Sequence, residues 1–140
     1  MSLSVVYTRA ALGVKAPLIS VEVHLSNGLP GLTLVGLPET TVKEARDRVR
    51  SAIINSGYTF PAKKITINLA PGDLPKEGGR YDLPIAIALL AASEQLNTTR
   101  LGSDEFVGEL ALTGALRGVP GAISGALEAI RAGRKIIVAN

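Results

Sequence analysis

The chain has 140 residues, 46% of them hydrophobic and 19% charged, with no cysteine, one histidine and a formal net charge of +3. This length and apolar content suit one domain over residues 1–140 and exclude a disordered chain. The missing cysteines exclude disulfides and thiolate metal centres, and the lone His24 has no carboxylates at metal-ligating spacing, so no metal site is expected.

The basic balance, with a pI near 9.4, is compatible with a nucleic-acid partner. Three Tyr, two Phe and no Trp supply little for a base-stacking surface. No window reaches 18 consecutive apolar residues and the first residues lack a signal-peptide layout, so a soluble, cytoplasmic protein with no membrane partner is expected.

In chain order, LSVVYTRA and PLISVEVHLSNG are rich in β-branched residues and read as strands. The second alternates Ile19, Val21, Val23 and Leu25 against Ser20, Glu22, His24 and Ser26, which places His24 on a solvated face. NGLPG then supplies turn residues and LTLVGL a third strand, which together predict a three-strand antiparallel meander. From Pro38 the period changes. Val42, Ala45, Val49, Ala52 and Ile53 form one helical stripe, Thr41 and Glu44 suit a capping box, and Gly57 stands where the helix should stop.

KKITINLAP reads as the next strand, and LPKEGGRYDLPIAIALLAA as a loop running into a helix over roughly residues 80–95. FVGELALTGAL predicts one or two strands. VPGAISGALEAIRAG predicts a helix entered through Pro120 and closed by Gly133, and KIIVA a final strand. The order β-β-β-α-β-α-β-α-β predicts an α/β (α+β) sandwich with helices packed on a mixed sheet.

The charged, glycine-bearing loop before the second helix invites three chemical readings. A phosphate-binding P-loop needs Gly-Lys-Ser/Thr at fixed spacing, whereas here Arg80 and Tyr81 follow Gly78 and Gly79, so spacing and magnesium ligand are both wrong. A weaker anion site remains open, because Lys76 and Arg80 flank a helix N-terminus. Against it, Asp82 as an N-cap would already satisfy the free N–H groups. Nucleophilic catalysis would need Ser, Thr or Lys at the junction, and the junction offers only Arg80, Tyr81 and Asp82.

GLPGLTLVGLPETTVKEARDRVRSAIINSG, KKITINLAP, DLPKEGGRYDLPIAIALLAAS and VGELALTGALRGVPGA occur in this order. Together they resemble the N-terminal domain of the ComM/YifB family, bacterial magnesium-chelatase-like AAA+ ATPases linked to natural transformation. The resemblance covers essentially the whole chain. It implies a downstream AAA+ motor that is absent from these residues and would use ATP and Mg²⁺, a hexameric ring of subunits, and DNA remodelling by a helicase-like branch migration.

The family's N-terminal domain is in turn similar to the proteolytic domain of Lon, which implies a two-layer sandwich of mixed sheet and packed helices. The Lon serine position falls on Arg80 or Tyr81, and its lysine position near Ile123. The resemblance therefore implies a degenerate dyad, no catalytic residues and no enzyme activity for this stretch.

Lys43, Arg46 and Arg50 are spaced to lie together on the first helix, away from its apolar stripe. With Lys76 and Arg80 they are the candidate contacts to DNA phosphates, although Glu39 and Asp47 could equally pair with Lys43. The expected role is a non-catalytic accessory domain that engages DNA or positions the motor ring. The alternatives are a purely structural module contacting its own motor or neighbouring subunits, and a Lon-like peptidase using other residues.

Overall fold

The computed structural model describes residues 2–12, 15–72, 79–119, 125, 127, 129–130 and 132–138. Its centre is a six-stranded sheet built from β1 (Leu3–Arg9), β2 (Leu18–Ser26), β3 (Gly31–Val35), β4 (Lys64–Ala70), β5 (Asp104–Phe106) and β8 (Lys135–Ile137), in the order β3-β4-β2-β1-β5-β8. Only β2 runs against the other five, since β1 and β4 pair with it antiparallel while β3–β4, β1–β5 and β5–β8 are parallel. A separate two-stranded hairpin, β6 (Glu109–Leu110) with β7 (Leu116–Arg117), stands beside the sheet.

The mixed α+β sandwich agrees with the sequence pattern, and the alternation of β2 is realised, with Ile19, Val21, Val23 and Leu25 buried and His24 exposed. The antiparallel meander is corrected. β2 and β3 do run in opposite directions, but β4 inserts between them and pairs with both. The physical reason lies in α1 (Glu39–Asn55), which links β3 to β4 as a crossover and so makes that pair parallel. Ile65, Ile67 and Leu69 then sit at the centre of the sheet's buried face.

The α1 stripe buries Ala45, Val49, Ala52 and Ile53 as its spacing requires. Its expected capping box does not form: the helix begins at Glu39 behind Pro38, with no side-chain cap. Pro38 itself provides the start, its carbonyl accepting the Val42 N–H at 3.0 Å. At the other end Gly57, at φ +87°, closes the helix as expected. Its N–H donates to Ile54 and that of Tyr58 to Ile53, the paired bonds of a Schellman turn.

The second helix, α2 (Asp82–Ala92), follows a 3-10 turn over Gly79–Tyr81. It buries nine residues on all sides and is packed against β1 and β2 on one side and α1 on another. A helix apolar all round must be interior, and this one forms the middle of the core. The sequence pattern predicts one or two strands over 106–116, and three short ones (β5, β6 and β7) occupy 104–117. Gly125, Leu127, Ala129 and Ile130 are helical, in line with the expected third helix, whereas Pro120 lies outside the described residues.

Gly36 follows β3 at φ +103°, and a Cβ there would lie 2.5 Å from the Leu69 carbonyl oxygen. The β3 exit therefore requires glycine for both conformation and space. Gly36→Ala is expected to lower stability by about 1–3 kcal/mol, read as a lower urea midpoint at unchanged m-value.

Candidate functional site

The start of α2 is held by a buried polar junction. Asp82 is fully buried, and instead of capping the helix its carboxylate accepts Arg48 Nε at 2.7 Å, Arg48 Nη2 at 3.3 Å and the Leu110 backbone N–H at 3.1 Å. One carboxylate thereby joins α1, α2 and the β6–β7 hairpin. The N-cap expectation fails because the helix's own N–H groups are served differently. Leu83 N–H donates to the Gly108 carbonyl at 3.0 Å, and Pro84 has no N–H to satisfy.

The preceding turn is equally enclosed. A Cβ on Gly79 would collide with the Glu109 carboxylate, and Gly108 N–H donates to the Arg80 carbonyl at 3.1 Å. Arg80, grouped in sequence with the exposed cations, is only 6% exposed, and its Nε donates to the Arg9 carbonyl at 3.1 Å. Its guanidinium is thus turned into the protein. Tyr81 beside it is 1% exposed, and burial pushes its phenol up to about 12, which keeps it neutral at ordinary pH. Lys76 and Ile123 lie outside the described residues.

A second buried ion pair stands on the opposite face of the sheet from α2. Arg9 grips Glu105 with Nε at 2.7 Å and Nη2 at 2.9 Å, and its Nη1 donates to the Ala16 carbonyl at 3.0 Å. Arg134 comes within 3.6 Å of the same carboxylate and lies over the Tyr7 ring at 4.5 Å. This bidentate fork ties β1 to β5 and the chain just before β8. It serves the sheet by joining these strands.

The exposed cations gather elsewhere. Lys43, Arg46 and Arg50 are all exposed on α1. Arg46 and Arg50 line a groove of about 370 Å³ with Lys63, Phe60 and Leu32, in which Asp47 is the one carboxylate. Arg50 lies over the Phe60 ring at 5.7 Å, and Arg46 Nε is 3.9 Å from Asp47. Lys63 Nζ donates to Asn27 Oδ1 at 2.9 Å, and Asn27 is not among the described lining residues of the groove. The spacing of the α1 cations was legible in sequence, but Lys63 and Phe60 join them only through the fold.

Sequence reasoning also missed Arg48 and Arg9. For Arg48 a signal existed: at i+3 from Ala45 and i−4 from Ala52 it sits on the buried side of an amphipathic helix, where a charge needs a partner.

With this geometry in view, the comparisons define first a class. The family described as subunit ChlI of Mg-chelatase matches residues 21–140. The chain is 84% identical over its full 140 residues to YifB of Salmonella typhimurium and 65% identical to competence protein ComM of Haemophilus influenzae. A Mycobacterium bovis protein is 38% identical over 138 residues, 99% of the chain and 27% of that relative. The chain belongs to this ChlI-like family and corresponds to the N-terminal region of its ComM/YifB members. It spans 28% of the length of YifB and of ComM.

Burial raises the Asp82 carboxyl above the ordinary carboxylate range, partly offset by Arg48 and the Leu110 N–H. The same hydrogen bond raises Arg48. An acid that holds its proton more tightly folded than unfolded stabilises the fold most at acid pH, and it loses that contribution as pH rises. Asp82→Asn keeps an acceptor for Leu110 and does not titrate. The stability of the natural protein relative to this variant should therefore fall as pH rises above the ordinary carboxyl value of about 4 and level off once Asp82 is ionised in the folded protein, followed by urea unfolding. A relative stability that instead rises would mean that the Arg48 pair outweighs burial.

Proposed function

We propose that this chain is a non-catalytic, Lon-like accessory domain of a ComM/YifB-type AAA+ ATPase, and that it engages DNA through the groove between α1 and the Phe60–Lys63 loop. The observation that carries the reading is that Arg46, Arg50 and Lys63 line one groove with a single carboxylate, Asp47, among its described lining residues. Lys43 extends the same stripe of α1 by one turn. Such a stripe binds phosphates without reading sequence, and each neutralised phosphate releases counterions. Arg80 is left out of the interface because its side chain is spent inside the protein.

The non-catalytic part of the reading is supported at the start of α2. On the resemblance to Lon the nucleophile position would fall on Arg80 or Tyr81, the one a buried guanidinium and the other a buried neutral phenol. A guanidinium and a neutral phenol are not the Ser, Thr or Lys that such a junction would need. In the full-length protein an ATP- and Mg²⁺-dependent motor, assembled in a ring with neighbouring subunits, would drive branch migration of transforming DNA, with this domain holding the strand close to it. The name of the Haemophilus influenzae relative, competence protein ComM, supports that setting.

The test is a salt titration of single-stranded and forked DNA binding by the chain. Binding should weaken linearly in log–log form, and Arg46→Ala, Arg50→Ala and Lys63→Ala should each make the single-strand slope shallower by about 0.7. Undetectable binding at low salt, or a slope that the three changes together leave untouched, removes DNA from this domain's role.

A further inference from the structure

The α2 helix poses a problem that the described residues alone do not solve. Every face of the helix is apolar, so every face needs cover. The sheet covers one side and the buried stripe of α1 another. Along a third side Leu83, Ile87 and Leu90, at i, i+4 and i+7, face the end of α1 and the β6–β7 turn. There Leu83 and Ile87 are only partly covered among the described residues, and a crevice of about 130 Å³ opens onto them. Ala52, Ile53, Ser56, Tyr58 and Leu110 are also in its walls.

Tyr58 of the lining is 42% exposed, and Leu112, which lies in the chain between the lining residues Leu110 and Gly114, is 55% exposed. Asn55 Nδ2 donates to the Leu112 carbonyl at 2.8 Å, which pins the hairpin turn against the end of α1 and keeps the crevice formed. No Lys, Arg, Asp or Glu is among its described lining residues, unlike the groove at Arg46 and Arg50. Such a surface suits an aliphatic or aromatic side chain of a protein and repels a phosphate backbone.

We propose that this crevice is the docking point for the rest of the full-length protein, a large apolar side chain from beyond residue 140 inserting between Tyr58 and Leu112 onto Leu83 and Ile87. The relatives that share this stretch at 84% identity carry it as 28% of their length, so in such a protein far more polypeptide lies outside these residues than within them. The inference rests on the chain's place in that longer protein and not on DNA binding, so its test can fail without touching the groove.

The experiment places the photo-crosslinking residue p-benzoylphenylalanine at position 112 in the full-length protein, with the same label at Leu29, 89% exposed, as control. Adducts should map to residues beyond 140, at several times the yield from position 29. Adducts confined to residues 1–140 of a second copy, or a yield no higher than the control, overturn the proposal. In parallel, Leu112→Glu should speed limited proteolysis between this domain and the remainder several-fold while DNA binding by the groove is unchanged. An unaltered cleavage rate also overturns it.

Discussion

The fold depends on a helix that cannot tolerate water on any side. α2 carries Ile85, Ala88, Leu89 and Ala92 into the core, each no more than 3% exposed, and only its first residue is charged. Burying such side chains is worth roughly 1.5–3 kcal/mol apiece for the larger ones, so the sheet, α1 and the hairpin are all recruited to cover it. The sheet presents Val6, Val21, Val23, Ile67 and Leu69 to the same cluster. The alternation in β2 and β4 and the stripe on α1 are separate sequence patterns that meet on one object.

The charged first residue of α2 then becomes an organising device. A carboxylate buried at the start of an apolar helix is costly unless it is paired and hydrogen-bonded. Asp82 meets that demand with Arg48 from α1 and the Leu110 N–H from β6. The expense of burial is visible in the raised carboxyl, which keeps its direction even beside a guanidinium. The junction thus fixes where α1 and the hairpin sit relative to α2, at some cost in stability near neutral pH. Its geometry leaves the turn at Gly79–Tyr81 closed, with Glu109 against Gly79.

Local patterns were readable from sequence wherever one side chain's environment is set by its own element. The β2 alternation, the α1 stripe and the Gly57 stop all needed only neighbours within a few residues, and all three stand. Pairings that depend on a distant element were not readable. β4 lies between β2 and β3 although 28 residues separate the end of β3 from its start, and nothing in NGLPG signals that a later strand will enter the gap. Asp82 had the composition of an N-cap, and only the hairpin 28 residues further on, whose Gly108 carbonyl takes the Leu83 N–H, releases it for Arg48. The candidate site follows the same division: the spacing of Lys43, Arg46 and Arg50 is local, while Phe60 and Lys63 arrive through the return of the chain into β4.

The 17 residues of α1 span about 25 Å and carry four different duties along that length. Its buried stripe covers α2, Arg48 straps the start of that helix, Arg46 and Arg50 line the cationic groove, and Ala52, Ile53 and Ser56 form one wall of the apolar crevice. The groove and the crevice thus share one helix as a wall, and the Arg48–Asp82 pair holds that helix in register with the start of α2, so a single packing solution positions both surfaces.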